Sequence, residues 1–149
     1  MSDEVQEHLR KEGLALAPLS RRAYAFFIDE LILAFLFLLI IYEQITGVQD
    51  PDTLVALINS YTFEYLILKV VYQTLFVLLY GATLGKIAMK IQVIDVETFQ
   101  KPLFNSALNR GIFRAVSEMI FYIGFVWAFY NPNRQGWHDK TARTLVVDV

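Results

Sequence analysis

Apolar side chains run almost unbroken along two stretches of this chain, each about as long as a bilayer is thick. From Ala23 to Tyr42 only Asp29 and Glu30 interrupt the run, and a second run from Tyr61 to Tyr80 is rich in Leu, Val and aromatic residues. Each covers 20 residues, about 30 Å as a helix, which matches the hydrocarbon core. The pattern predicts membrane helices over about 23–45 and 61–81, separated by "TGVQDPDT" with Gly47 and Pro51. Between 82 and 103 the period shortens. "KIQVIDVETFQKP" is β-branched and partly alternating, with a polar turn near Glu97 and Thr98, and predicts an extended cytoplasmic segment or hairpin.

A third helical stretch is predicted over about 104–130, ending at "NPN", where Pro132 cannot continue it. Apart from Ser117 and Glu118, its apolar part is Ala115 to Tyr130, 16 residues containing Gly124, or about 24 Å of helix. Either it crosses plainly, or it is shallow, bent or re-entrant. Residues 1–20 are mixed in charge and read as a cytoplasmic polar arm or short surface helix rather than a signal peptide. In the tail, 131–149, "TLVVDV" is able to pair with "KIQVIDV". The expected fold is an all-α membrane protein, residues 21–149, with three membrane-embedded helical segments and a small cytoplasmic β element.

Composition agrees with a membrane protein: 56% of residues are hydrophobic and 19% charged, against about 45–50% and 25% in soluble domains. The absence of cysteine removes disulfide and thiolate chemistry. Charge placement says more than the net charge of -2. No Lys or Arg falls between 23 and 68, so the first loop, with Asp50 and Asp52, should face away from the cytoplasm. This predicts a multi-pass membrane protein with its amino terminus on the cytoplasmic side. Lys86, Lys90, Lys101, Arg110 and Arg114 agree with that orientation. Arg134, Lys140 and Arg143 also favour the cytoplasm, and a shallow, bent or re-entrant third segment would return the tail there.

The acids of the first span can be placed by depth. Asp29 and Glu30 lie about 10 and 12 Å beyond Arg22, Gln73 and Lys69 about 10 and 16 Å from the inner end of the second span, and Glu118 about 12 Å beyond Arg110, all from the helical rise. An ionised group facing lipid costs about 2.5–3.5 kcal/mol. Asp29, Glu30, Lys69, Gln73, Arg114 and Glu118 are therefore expected to share one polar layer. Such a layer serves either as interhelical glue, worth about 0.6–2 kcal/mol per contact, or as an ion or proton pathway. Arg21, Arg22 and Arg110 are read as interfacial anchors, Trp127, Tyr130 and Tyr80 as belt residues, Trp137 as an inner-face residue, and Glu64 as lying near the outer interface. Asp139 is expected to accept from Arg110 or Arg114 and pin the tail.

"RRAYAFFID" resembles the Arg-x-x-Ala-x-x-x-Asp signature of the RDD family, with Arg22, Ala25 and Asp29 on the pattern. "TLGKIAMKIQVID" is similar to that family's Gly-Lys segment and strand, "NRGIFR" to its entry into the third helix, and "RQGWHDKTARTLVV" to its ending, where Asp139 supplies the second aspartate and Thr144 to Val147 the last strand. Arg143 departs from the glycine often found before that Thr. The resemblance implies small bacterial membrane proteins with three membrane segments, for some of which sodium or proton exchange has been proposed. Transport of a small cation or solute, as in a sodium/proton antiporter, is the expected function; the alternative is a non-transporting scaffold or accessory subunit. The expected partners are the lipid bilayer, a small cation, and further copies of the chain or other membrane proteins, without nucleic acid. Neither HExxH, a P-loop nor GxGxxG is present, so neither an enzyme nor a cofactor is expected.

Overall fold

The computed structural model describes residues 2–119 and 129–148. Gly124 and Trp127, and the side chain of Trp137, lie outside the described part. The chain opens with helix α1 (Ser2–Lys11), acidic in its first turn and basic in its last, which complements the helix dipole. The long apolar helix α2 (Leu19–Ile40) begins directly after Pro18. It starts before the expected residue 23 because proline is tolerated at a helix entrance. It breaks at Ile41, and α3 (Tyr42–Ile45) is a separate turn.

The expected loop between the spans contains a helix, α4 (Pro51–Ser60). Its start follows from "DPDT": the Asp50 carboxylate accepts from the Thr53 backbone N–H at 2.9 Å, and Pro51 opens the first turn. Helix α5 (Thr62–Tyr80) is the second long apolar helix. It is followed by α6 (Leu84–Ala88), strand β1 (Ile91–Asp95), α7 (Phe104–Met119), α8 (Trp137–Thr141) and strand β2 (Thr144–Asp148). No hairpin forms within 82–103. β1 pairs instead with β2, antiparallel, with Val93 opposite Val146 and Ile94 opposite Leu145.

On α2 and α5 the apolar side chains point outward. Phe27, Phe35, Ile40 and Phe63 are all more than 60% exposed, whereas the core helix of a soluble protein would cover them. The two helices are long and apolar enough to cross a membrane. At one end of the bundle the outward pattern reverses. Ala17, Ala25, Val77, Val93, Ala107 and Val146 close into a core between the helix ends and one sheet face. Val5 and Leu9 of α1 cover the other face, against Ile94, Leu145 and Val147. Burial on both faces explains why "LVV", Leu145 to Val147, is continuously apolar instead of alternating.

The arm adds a third backbone partner, since Ala17 donates to the Val146 carbonyl and Asp148 to that of Ala15, both at 2.9 Å. The start of α2, the end of α5, the start of α7 and the tail thus meet at one end of the molecule. α7 packs along α5 and α6 along α2. Both contacts depend on glycine. A Cβ on Gly111 would come within 2.9 Å of Thr74 Oγ1, and one on Gly85 within 2.2 Å of the Ala25 carbonyl oxygen.

Candidate functional site

Three buried polar groups occupy the interior. The first forms where α2, α7 and α8 meet. Asp139, with no solvent exposure, accepts from the guanidinium groups of both Arg22 and Arg110, and from the Gly136 backbone N–H at 3.1 Å. Arg110 also donates to Thr144 Oγ1 at 3.0 Å, while Arg22 donates to the Arg134 carbonyl. Of the two partners expected for Asp139, the structure selects Arg110, and it adds Arg22. Both arginines turn inward and pair with this carboxylate instead of standing free as the expected anchors, because a guanidinium withdrawn from water needs a counter-charge. Arg21 is the outer member: it bonds Asp148 at 2.9 Å on the surface. His138 Nε2 lies 3.6 Å from Asp139 Oδ1. Burial first, and then the positive charge of Arg110, hold this imidazole well below the usual histidine range.

The second group surrounds Asp29. Oδ1 accepts from the Tyr72 hydroxyl at 2.8 Å and the Gly85 backbone N–H at 2.9 Å, and Oδ2 accepts from Thr83 Oγ1 at 2.6 Å. The Tyr72 oxygen in turn accepts from the Leu84 backbone N–H at 3.2 Å. Arg22, Ala25 and Asp29, spaced three and four apart, form one helix face. Arg22 meets the tail, Ala25 leaves room for Gly85, and Asp29 bonds the first turn of α6 through Thr83 and Gly85.

The third group is ionic. Lys69 donates to Glu30 Oε2 at 3.0 Å and to Glu118 Oε2; Arg114 Nε lies 3.6 Å from Glu118 Oε1, and its Nη1 donates to Gln73 Oε1. Lys69 stands over the Tyr65 ring and Arg114 over that of Phe26, at 4.8 and 5.0 Å. The four charges balance. A cavity of about 10 Å³ lies among them, and Glu30 Oε1 and Gln73 Nε2 are buried without a hydrogen-bond partner among the described residues.

Five of the six residues expected in one polar layer therefore converge: Glu30, Lys69, Gln73, Arg114 and Glu118. Asp29 stands apart from them. Successive helix residues point about 100° apart, so Asp29 faces α6 while Glu30 faces Lys69. Tyr72 and Gln73 divide in the same way on α5. Depth along the axis placed these residues at one level, but azimuth separated them. Tyr72, Thr83 and Gly85 were not singled out from sequence as partners of Asp29; the available signal was a tyrosine inside an apolar span, whose hydroxyl requires an acceptor. The belt residues Tyr80 and Tyr130 are exposed, as is Glu64. Among the described residues no three His, Asp or Glu side chains come together as a metal site.

The chain is 28% identical over 127 residues to the uncharacterized membrane protein YteJ of Bacillus subtilis (strain 168), covering 85% of this chain and 77% of that protein. It is 28% identical over 67 residues to the uncharacterized protein RP437 of Rickettsia prowazekii (strain Madrid E), covering 45% of this chain and 36% of that protein. No solved structure matches. The RDD family pattern matches residues 16–143, which takes in the Arg22 face, the Gly85 turn and the Asp139 centre, and the chain belongs to the RDD family.

Proposed function

We propose that this protein is a non-catalytic, non-transporting membrane scaffold or accessory subunit of the bacterial cytoplasmic membrane. In this reading α2 and α5 cross the bilayer, and the third embedded segment enters and returns on the cytoplasmic side, so both termini are cytoplasmic. The observation that carries the reading is Asp29: a fully buried carboxylate with both oxygens engaged by three donors is a tie between α2, α5 and the α6 turn, with little capacity left for a travelling ion. The lipid-exposed apolar faces of α2 and α5 are available to further copies or to other membrane proteins. A reporter at the carboxyl terminus should read cytoplasmic, and periplasmic labelling of the tail would replace the re-entrant topology with three crossings.

A second reading, cation or proton transport of the antiporter kind, draws on the third group alone. There Glu30 is partly exposed, carries an oxygen without a hydrogen-bond partner among the described residues and borders a small cavity. Sodium and proton flux into vesicles containing the purified chain distinguishes the two. The scaffold reading expects flux equal to that of empty vesicles. Cation-dependent flux that Glu30→Gln abolishes in a folded protein would establish transport through this group.

A further inference from the structure

A cavity of about 220 Å³ opens beside the Asp139 centre, and its polar wall is almost entirely basic: Arg22, Lys86, Arg110 and Arg114, with His138. The rest of its described lining is apolar apart from Gly136, including Leu19, Ala23 and Phe26. The arginines have protein acceptors, but among the described residues Lys86 has none. It is 6% exposed, and no hydrogen bond or ion pair joins its ammonium to any described residue. A buried cation without an acceptor is costly. The nearby carboxylates offset only part of this charge: Asp139 is shared by Arg22 and Arg110, Glu118 by Lys69 and Arg114, and Asp29, held by three neutral donors, makes no ion pair with Lys86.

We propose that this cavity binds a phosphate-bearing anion, with the Lys86 ammonium as its principal protein contact and Arg22, Arg110 and Arg114 supplying positive potential. The chemistry of the wall favours phosphate over a carboxylate. Several cations converge on a space suited to a small, multiply charged group, and lysine and arginine are the usual phosphate donors, the first as a point charge and the second as a planar fork. Burial first, then the charges of Arg114 and Arg110, push Lys86 well below the usual lysine range, with Asp29 acting in the opposite direction. The apolar side suits a phosphate carried on an acyl or other apolar substituent. α2, which provides that side, continues directly into the lipid-exposed span.

The same chemistry is offered by an anionic phospholipid headgroup and by soluble phosphate, and thermal unfolding of the full chain separates them. Nanodiscs of phosphatidylcholine are compared with nanodiscs containing phosphatidylglycerol, and each is measured with and without inorganic phosphate. Saturating occupancy should raise the midpoint by about 5 °C. A rise with phosphatidylglycerol identifies a headgroup, and a rise with inorganic phosphate in pure phosphatidylcholine a soluble ligand. In Lys86→Gln the rise should disappear while Lys86→Arg retains it. Lys86→Gln without ligand should be at least as stable as the native chain, because it removes a buried unmatched charge. Native mass spectrometry of the unsubstituted protein, released from mixed nanodiscs, should independently show retained phosphatidylglycerol if the headgroup is the ligand. Absence of a rise with both probes, or an equal rise in Lys86→Gln, would overturn the proposal.

Discussion

Asp29 and Asp139 are both wholly shielded from solvent, but their surroundings solve the burial of a carboxylate in different ways. Around Asp29 the donors are neutral: two hydroxyl groups and one backbone N–H. Around Asp139 two guanidinium groups provide the main contacts, with a single backbone N–H. The first arrangement needs a close backbone approach, hence Gly85 and Ala25. The second needs no such closeness, because arginine is long, and it joins elements far apart in sequence. Removing charge should therefore be mild at one centre and severe at the other.

The largest effect is expected at Asp139. Asp139→Asn leaves Arg22 and Arg110 buried without a counter-charge and should cost about 3–5 kcal/mol of stability, read by denaturation in detergent. Combined with Arg110→Gln or Arg22→Gln the effects should be non-additive by more than about 0.5 kcal/mol, and with Arg114→Gln they should add. Additivity with all three would mean that Asp139 is not held by charge. Gly85→Ala comes next. Its Cβ would meet backbone, which does not yield as a flexible side chain does, so about 1–3 kcal/mol is expected from overpacking, with faster hydrogen exchange at Leu84 and Gly85 as the local signature. A neutral Gly85→Ala would show that α6 moves away from α2 without cost.

Asp29→Asn should be milder, about 1–2 kcal/mol, since the amide oxygen still accepts from Tyr72 and Gly85, and the Thr83 hydroxyl can turn to accept from the amide nitrogen. If Asp29→Asn destabilises as much as Asp139→Asn, the distinction between neutral and ionic solutions fails. The smallest effect is a pH slope at His138. Its pKa is lowered in the folded state, so the unfolded chain takes up the proton first. Its contribution is complete above the unfolded value near 6.5 and declines below it by up to about 1.4 kcal/mol per pH unit. His138→Gln should flatten stability against pH in that range, and an unchanged slope would place the pH response elsewhere.

Much of the architecture was legible in the sequence because lipid imposes strong rules on composition. A span must be apolar for about 20 residues and its ends are marked by basic side chains, so the two long helices could be placed within a few residues, and the apolar "TLVV" and "KIQVID" segments could be matched as strands. What the sequence determined by itself was one-dimensional content: the two long apolar helices, the two strand segments, and that Arg22, Ala25 and Asp29 share a face; α4 and α6 lie in segments it read as loop and extended chain. Only the tertiary structure decided which polar groups meet. Depth is additive along a helix, whereas azimuth depends on how neighbouring helices pack, so one apparent layer divided into an Asp29 centre, an Asp139 centre and the Lys69 group. Lys86 shows the same limit, since a lysine beyond the end of a span reads as a cytoplasmic charge until the packing of α6 against α2 turns it inward. Packing is a relation between distant segments, and in this chain glycine positions such as 85 and 111 fix it through contacts that no local pattern contains.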